Sequence, residues 1–473
     1  MTNIMSTRLA VIGAGPGGYV AAFHAADLGM QVTLIDADPN PGGVCTFRGC
    51  IPSKALLHAA RVLDEAKHAS AYGVSFGEPS IDIDKLRAWK DQVVKKQTGG
   101  LGLLAKSRKV TYIQGRASFV NAKTLSVETA TGEQNVEADY VIIATGSRPT
   151  TVPNVSIESP KVLDSTTALE LPDVPNRLLV VGGGYIGLEL GTVYAALGSK
   201  VTVVEMTDGL LPGADRDLTA IVAKRMATYA EAILLETKVT GVKDDKEGLA
   251  VTLEGKNAPG GTQMFDRVLV AVGRRPNSAI AGLDKTKAKV NQRGFIEVDG
   301  QRRTAEPSIF AIGDVAGDPM LAHKASHEAR VAVEAIHGKP SVFEPRAIPA
   351  VVFTDPELAW TGLTETDAKK QNIPIEIAKY PWAASGRATT LDRPDGLTKL
   401  VIDPETERIL GVGIVGVGAG ELISEGTLAI EMGALASDLK LTIHPHPTLS
   451  ETVMEAADVF FGESAHVYKP KKT

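Results

Sequence analysis

The sequence predicts an α/β protein in which one strand–turn–helix–strand unit is used twice, followed by a smaller α+β domain. Three observations carry that prediction. RLAVIGAGPGGYV near the start and RLLVVGGGYIGLELG from Arg177 both pass from a short apolar strand through patterned glycines into a helix. An acid ends the following strand at one distance in both, Asp36 lying 23 residues after Gly13 and Glu205 lying 23 after Gly182. Each unit closes on a similar strand, VIIATGSRP up to Pro149 and VLVAVGRRP up to Pro276. Beyond about Pro345 the glycine pattern does not recur, and the segments 351–360 and 398–415 read as antiparallel strands around turns.

In chain order, Arg8–Gly13 reads as a buried parallel strand and Tyr19–Gly29 as a helix closed by glycine. Gly13, Gly15 and Gly18 form G-x-G-x-x-G between them. Such glycines let the backbone approach a pyrophosphate, whose charge a helix N-terminus stabilises, while the downstream acid accepts from a ribose hydroxyl. The glycines alone are weak evidence. Strand, glycines, helix, strand and acid in order predict a Rossmann-like dinucleotide-binding unit. Gly182, Gly184, Gly187 and Glu205 predict a second. Glu205 is followed by Met206 and Thr207 rather than Arg, so it suits a free 2′-hydroxyl and repels a 2′-phosphate, which points to NAD.

Between the units lies GGVCTFRGCIPSKALL, Gly42–Leu57, which holds the chain's 2 cysteines, Cys45 and Cys50. A disulfide there closes a loop of six residues, worth roughly 2 kcal/mol in the chain-entropy model, and a 473-residue chain does not need that staple. The pair therefore reads as chemistry. Pro52 suits an early helix position, which sets Cys50 just before a helix N-terminus, with Lys54 one turn on. Both features favour a thiolate. A dithiol gives up two electrons, so the first unit is expected to carry a flavin that passes hydride to the nicotinamide.

Helices are expected through about Leu104, with His58 and His68 as ordinary helix residues, and then strands over 109–137. Ser308–Asp314 reads as a buried strand whose terminal Asp314 either meets a ribityl or ribose hydroxyl or caps a helix. LAHKASHEARVAVEAIHG follows as a helix whose N-terminus could face the flavin. In HPHPTLSE, His446 and Glu451 form either a base–orienter pair or a surface turn. No His/Cys/Asp cluster has metal-ligand spacing, so no metal is expected.

The net charge of −6 excludes a concentrated basic face for nucleic acid. Two cysteines exclude a disulfide scaffold and suit a reducing compartment. Glycines interrupt the apolar N-terminal stretch where a signal peptide needs continuity, and no stretch is long enough to span a membrane. The bacterial cytosol is the expected home.

Taken together, GAGPGG, GGVCTFRGCIPSKALL, ATGSRP, GGGYIGLELG, VAVGRRPN, FAIGD, MLAHKASHEA, PWAASGRA and HPHPTLSE resemble the pyridine nucleotide–disulfide oxidoreductases in order and spacing over nearly the whole chain. Within that family the resemblance is to the members that reoxidise dihydrolipoamide for 2-oxo acid dehydrogenase complexes. It implies FAD on Gly13, Gly15, Gly18, Asp36, Lys54, Gly146, Asp314 and Ala322. It implies NAD on Gly182, Gly184, Gly187, Glu189, Glu205 and Gly273, and catalysis by a Cys45–Cys50 redox disulfide with His446 and Glu451. It further implies a homodimer whose His–Glu pair serves the opposite subunit, a Lys54–Glu189 pair tuning charge near the flavin, and lipoyl domains and an acyltransferase core as partners. The expected domains are FAD-binding over 1–150 and 277–345, NAD-binding over 151–276 and dimerisation over 346–473.

Some positions depart from the family pattern. Asp36 stands where Glu is commoner, and Pro445 stands where Ala is. Arg48 is expected to depress the thiol pKa values or shift the disulfide's potential, and Tyr185 to gate the nicotinamide. A glutathione-type reductase would want basic residues near Glu205, a mercuric reductase a C-terminal cysteine pair, and a soluble transhydrogenase no cysteine pair. A non-catalytic docking subunit would not need every redox group.

Overall fold

The computed structural model describes residues 4–468. In the first unit, parallel strands lie in the order Thr111–Gln114, Val32–Asp36, Ile4–Ile12, Gly132–Ile143 and Ile309–Ala311. In the second, the order is Ala232–Leu234, Lys200–Val204, Arg177–Val181, Arg267–Val270 and Val162–Leu163, again all parallel. Each glycine-bearing strand thus lies between its acid-bearing strand and its closing strand. The outermost strand comes from far downstream in the first sheet and from just upstream in the second. Leu9, Val11, Leu179 and Val180 are fully buried, as expected for parallel strands covered on both faces.

The two units meet through their closing segments. Ser147–Pro149 pairs antiparallel with Arg274–Pro276, so the repeated ends ATGSRP and VAVGRRP lie edge to edge. Asn277 N–H donates to Gly146 O at 2.9 Å and Thr150 N–H to Gly273 O at 3.0 Å. Both glycines have positive φ, +66° and +113°, conformations that Gly adopts without strain.

The third region is a five-stranded antiparallel sheet over residues 350–416. The helix Ala419–Met432 packs on three of its strands and Glu451–Phe461 on the other two. A buried cluster ties this region to the second unit. Lys399 Nζ lies 2.7 Å from Asp215, 2.9 Å from Asp217 and 2.8 Å from Glu365. These three acids converge as metal ligands can, a grouping that sequence spacing does not reveal, but the lysine ammonium stands among them.

Several elements differ from the sequence expectations. The first glycine helix is Pro16–Asp27, beginning before Tyr19, because Pro16 occupies an early helical position after an extended Gly15. Cys45 lies on a short helix, Gly43–Arg48, and Cys50 begins the helix Cys50–His68 instead of preceding it. The strands expected around a turn over 351–360 are Ala350–Val352 and Glu357–Gly362, antiparallel on either side of Pro356, which has no N–H for a ladder. Among the described residues no helix is long and apolar enough to cross a membrane.

Candidate active site

A cleft of about 360 Å³ runs along the first glycine turn to the cysteines. Its glycines are sterically required. A Cβ on Gly18 would stand 1.8 Å from Gly13 O, and one on Gly43 would stand 2.5 Å from Gly15 Cα. The second contact also shows how the cysteine segment is held: Gly42 N–H donates to Ala14 O at 2.7 Å, and the segment lies directly on the glycine turn. The helix N-terminus at Pro16 faces the same turn, which suits a diphosphate. Asp36 accepts from Ala14 N–H at 2.5 Å and from Asp38 N–H at 2.9 Å. Burial pushes its carboxyl above the ordinary range, opposed by those two amides. Each oxygen keeps a second lone pair for a ribose hydroxyl, and Asp36, Gly13, Gly15, Lys54, Gly146, Asp314 and Ala322 all line the cleft.

Cys45 and Cys50 are free thiols here. Their side chains hydrogen-bond to each other, and that contact separates their acidities. The Cys45 bond brings Cys50 down to about 7 against the cost of burial, with help from Lys54. The same bond, burial and the neighbouring charge push Cys45 far up. The contact thus polarises the pair, favouring ionisation at Cys50 and disfavouring it at Cys45. Arg48, expected to act on this pair, lines the same cleft. Its guanidinium donates to Asp38 Oδ2 at 2.6 Å, beside the Asp36 turn, and a nearby carboxylate takes up its charge.

Lys54 Nζ is 2.8 Å from Glu189 Oε2, which also accepts from Ser53 Oγ at 2.9 Å. Glu189 Oε1 accepts from Phe353 N–H at 3.1 Å, and the Phe353 ring lies 4.5 Å from the ammonium. Glu189, grouped with the NAD residues by sequence, therefore has Oε2 engaged at the cysteine helix and Oε1 at Phe353. Ser53 and Phe353 escape sequence reasoning: Ser53 adjoins Lys54, a usable signal, but nothing local marks Phe353. At the other end of the cleft, Asp314 Oδ2 accepts from Ser147 Oγ at 2.5 Å, and Arg274 Nε donates to that hydroxyl at 2.7 Å. Both side chains come from the paired closing segments.

The second cradle repeats the first. Glu205 accepts from Gly183 N–H at 2.7 Å and from Thr207 N–H at 2.8 Å. A Cβ on Gly187 would stand 2.3 Å from Gly182 O, while one on Gly184 meets nothing within 4 Å, so that face is open. Tyr185, 40% exposed, stands where the two cradles approach and lines the first cleft with Cys50 and Arg274.

His446 Nδ1 is 2.8 Å from Glu451 Oε1, and Glu451 Oε2 accepts from Thr448 N–H at 2.7 Å. Burial opposes ionisation of Glu451, but the Thr448 amide and His446 outweigh it and hold the carboxyl below its ordinary range. An ionised Glu451 fixes the ring, leaving Nε2 outward on a side chain 77% exposed. His444, by contrast, is buried, facing Glu425 at 2.7 Å and Thr442 O at 2.8 Å. Among the described residues, none beyond 345 lines the cleft at the cysteines. A chain's own His446 is therefore not at that chain's own sulfurs.

Comparison with known proteins agrees with this geometry. Residues 7–329 match the family described as pyridine nucleotide-disulphide oxidoreductase, and residues 348–457 match its dimerisation domain. Dihydrolipoyl dehydrogenase of Vibrio cholerae is 50% identical over 98% of this chain and 97% of its own length. That of Geobacillus stearothermophilus is 47% identical over 98% of each. The crystal structure of LpdA from Mycobacterium tuberculosis has a TM-score of 0.88 at 27% identity, covering 95% of this chain and 99% of that one. The chain belongs to the pyridine nucleotide-disulphide oxidoreductases, and it is a flavoprotein enzyme that uses FAD and NAD.

Proposed function

We propose that this oxidoreductase closes dihydrolipoamide to lipoamide on the lipoyl domains of 2-oxo acid dehydrogenase complexes in the bacterial cytosol. It does so as a homodimer held to an acyltransferase core. The observation that carries the reading is the Cys45–Cys50 pair lining the cleft of the first glycine turn with Lys54 beside it, an environment that favours ionisation of Cys50. With the pair oxidised, His446 of one subunit, oriented by Glu451, takes a proton from a substrate thiol bound at the other subunit. The resulting thiolate attacks Cys45 Sγ, and the disulfide breaks to release Cys50 as thiolate. The second substrate thiol displaces Cys45, its proton passing to the departing Cys45 sulfur, which closes the lipoyl disulfide and leaves both substrate electrons on the cysteine pair. Lys54, held by Glu189 and stacked on Phe353, stabilises the negative charge on Cys50. FAD supplies the two-electron relay from Cys50 to NAD. Glu205 and the open second cradle bind and release the nicotinamide nucleotide.

The test is a visible spectrum of the protein during anaerobic addition of dihydrolipoamide, then NAD. A long-wavelength thiolate–flavin band, followed by NADH, is the expected result, lost in Cys45→Ser. A flavin that NADH reduces but dihydrolipoamide leaves unchanged would sink the substrate reading while leaving both nucleotide sites standing.

A further inference from the structure

Behind Asp314 lies a set of charges that the mechanism above does not use. Glu328 is fully buried, and its Oε1 lies 2.7 Å from Arg302 Nη1 and 3.0 Å from Lys324 Nζ. Lys324 and Glu328 are one turn apart on the helix Ala322–Ile336. Burying three charges is costly, and well-packed apolar residues are often at least as stabilising. Two cations against one anion also leave a net positive charge, so mutual neutralisation does not account for the group.

Its remaining hydrogen bonds do. Glu328 Oε2 accepts from Gly313 N–H at 2.6 Å. Lys324 Nζ donates to Gly317 O at 2.8 Å and contacts Gly313 O at 3.4 Å. The loop that carries Asp314 is thus fastened at both ends by two side chains of one helix. That helix also sets the depth of the loop, since a Cβ on Gly313 (φ +74°) would stand 3.1 Å from Ala325 Cβ. It lies against the first glycine turn as well: a Cβ on Gly17 would stand 3.2 Å from the same Ala325 Cβ. Arg302 holds φ +68°, an unfavourable conformation for a residue with a Cβ, while its guanidinium reaches Glu328.

We propose that Glu328 and Lys324 are positioning residues for FAD, clamping the Asp314 loop at the cleft and placing a buried net positive charge behind it. The inference rests on the reading of Asp314 as a contact to bound FAD. The clamp fixes Asp314 at the cleft, where its carboxylate would accept from a ribityl or ribose hydroxyl of the bound cofactor. The charge favours the extra negative charge that the isoalloxazine gains on reduction, because it is poorly screened where it lies.

The test uses the full-length protein with Glu328→Gln, Lys324→Met and, as a control, Asp314→Asn. Three quantities are measured: FAD dissociation constant of the apoprotein, apoprotein Tm, and flavin midpoint potential of the holoenzyme. Asp314→Asn and both clamp variants are expected to weaken FAD by about tenfold or more. The potential moves positive in Glu328→Gln, which removes an anion, and negative in Lys324→Met, which removes a cation. A role confined to stability lowers Tm without separating the potentials in opposite directions. If Glu328→Gln does not fold, Lys324→Met carries the test, because it leaves the Glu328–Arg302 pair balanced. FAD affinity within about twofold of the parent in the clamp variants, or potentials that do not move as stated, overturns the inference. If Asp314→Asn binds FAD as the parent does, the reading of Asp314 fails first and takes the inference with it.

Discussion

The two glycine cradles are built to one plan and differ in their surroundings. In each, a carboxylate at a strand end accepts the amide just after the first glycine and the amide two residues beyond itself: Ala14 and Asp38 for Asp36, Gly183 and Thr207 for Glu205. Each first glycine has positive φ, +97° and +109°. Around Asp36 the chain then closes in. The cysteine segment lies on the glycine turn, Arg48 clasps Asp38, and Tyr112 Oη donates to Asp38 O at 2.7 Å. Around Glu205 the chain also returns, Leu211 N–H donating to Gly183 O at 2.9 Å as Gly42 N–H does to Ala14 O, but Met206 is 75% exposed and the returning segment carries no cysteines. The same backbone device is thus built twice, and what distinguishes the first is the cysteine segment laid on its glycine turn.

The sharpest break would come at the buried glycine of each cradle. Gly18→Ala forces a Cβ onto Gly13 O and is expected to give protein without flavin. Gly187→Ala, with its clash on Gly182 O, should leave the protein yellow but lower NAD-linked turnover by about a hundredfold or more. Flavin absorbance per subunit and NAD kinetics decide it; flavin lost from Gly187→Ala would break the division of labour.

Removing charge from the acids should have a smaller effect. Glu205→Gln is expected to raise the KM for NAD about tenfold and to narrow the preference over NADP, since a repulsive charge is lost. Asp36→Asn should mainly speed FAD loss on dilution, because the surrounding wall still holds the nucleotide. Equal effects on both nucleotides would mean that the wall contributes nothing.

The smallest effect is expected from Arg48→Met. Its charge is taken up by Asp38, so the thiolate–flavin band should still fade as pH falls through about 7, where Cys50 regains its proton. Turnover should stay within about twofold, as for a half-exposed ion pair. A band midpoint moved clearly upward would restore Arg48 to the cysteines and make the wall part of the redox chemistry.

By itself, the sequence determined the features that depend on short-range geometry. Glycines at fixed spacing are readable because a Cβ at Gly18 or Gly187 collides with backbone only a few residues away. The cysteine pair is readable because a six-residue loop is poor as a staple. The C-terminal region was less legible: the short helices Glu365–Gln371 and Ala436–Leu441 carry too few residues for a periodic pattern. Only the tertiary structure decided where the charges find partners. Glu189 meets Ser53 and Phe353, Asp314 meets Ser147, Arg48 meets Asp38, and Glu328 holds Gly313. A backbone clash is local and leaves a local pattern. A buried charge must be satisfied by whatever the fold brings within 3 Å, and that neighbour can lie anywhere along the chain.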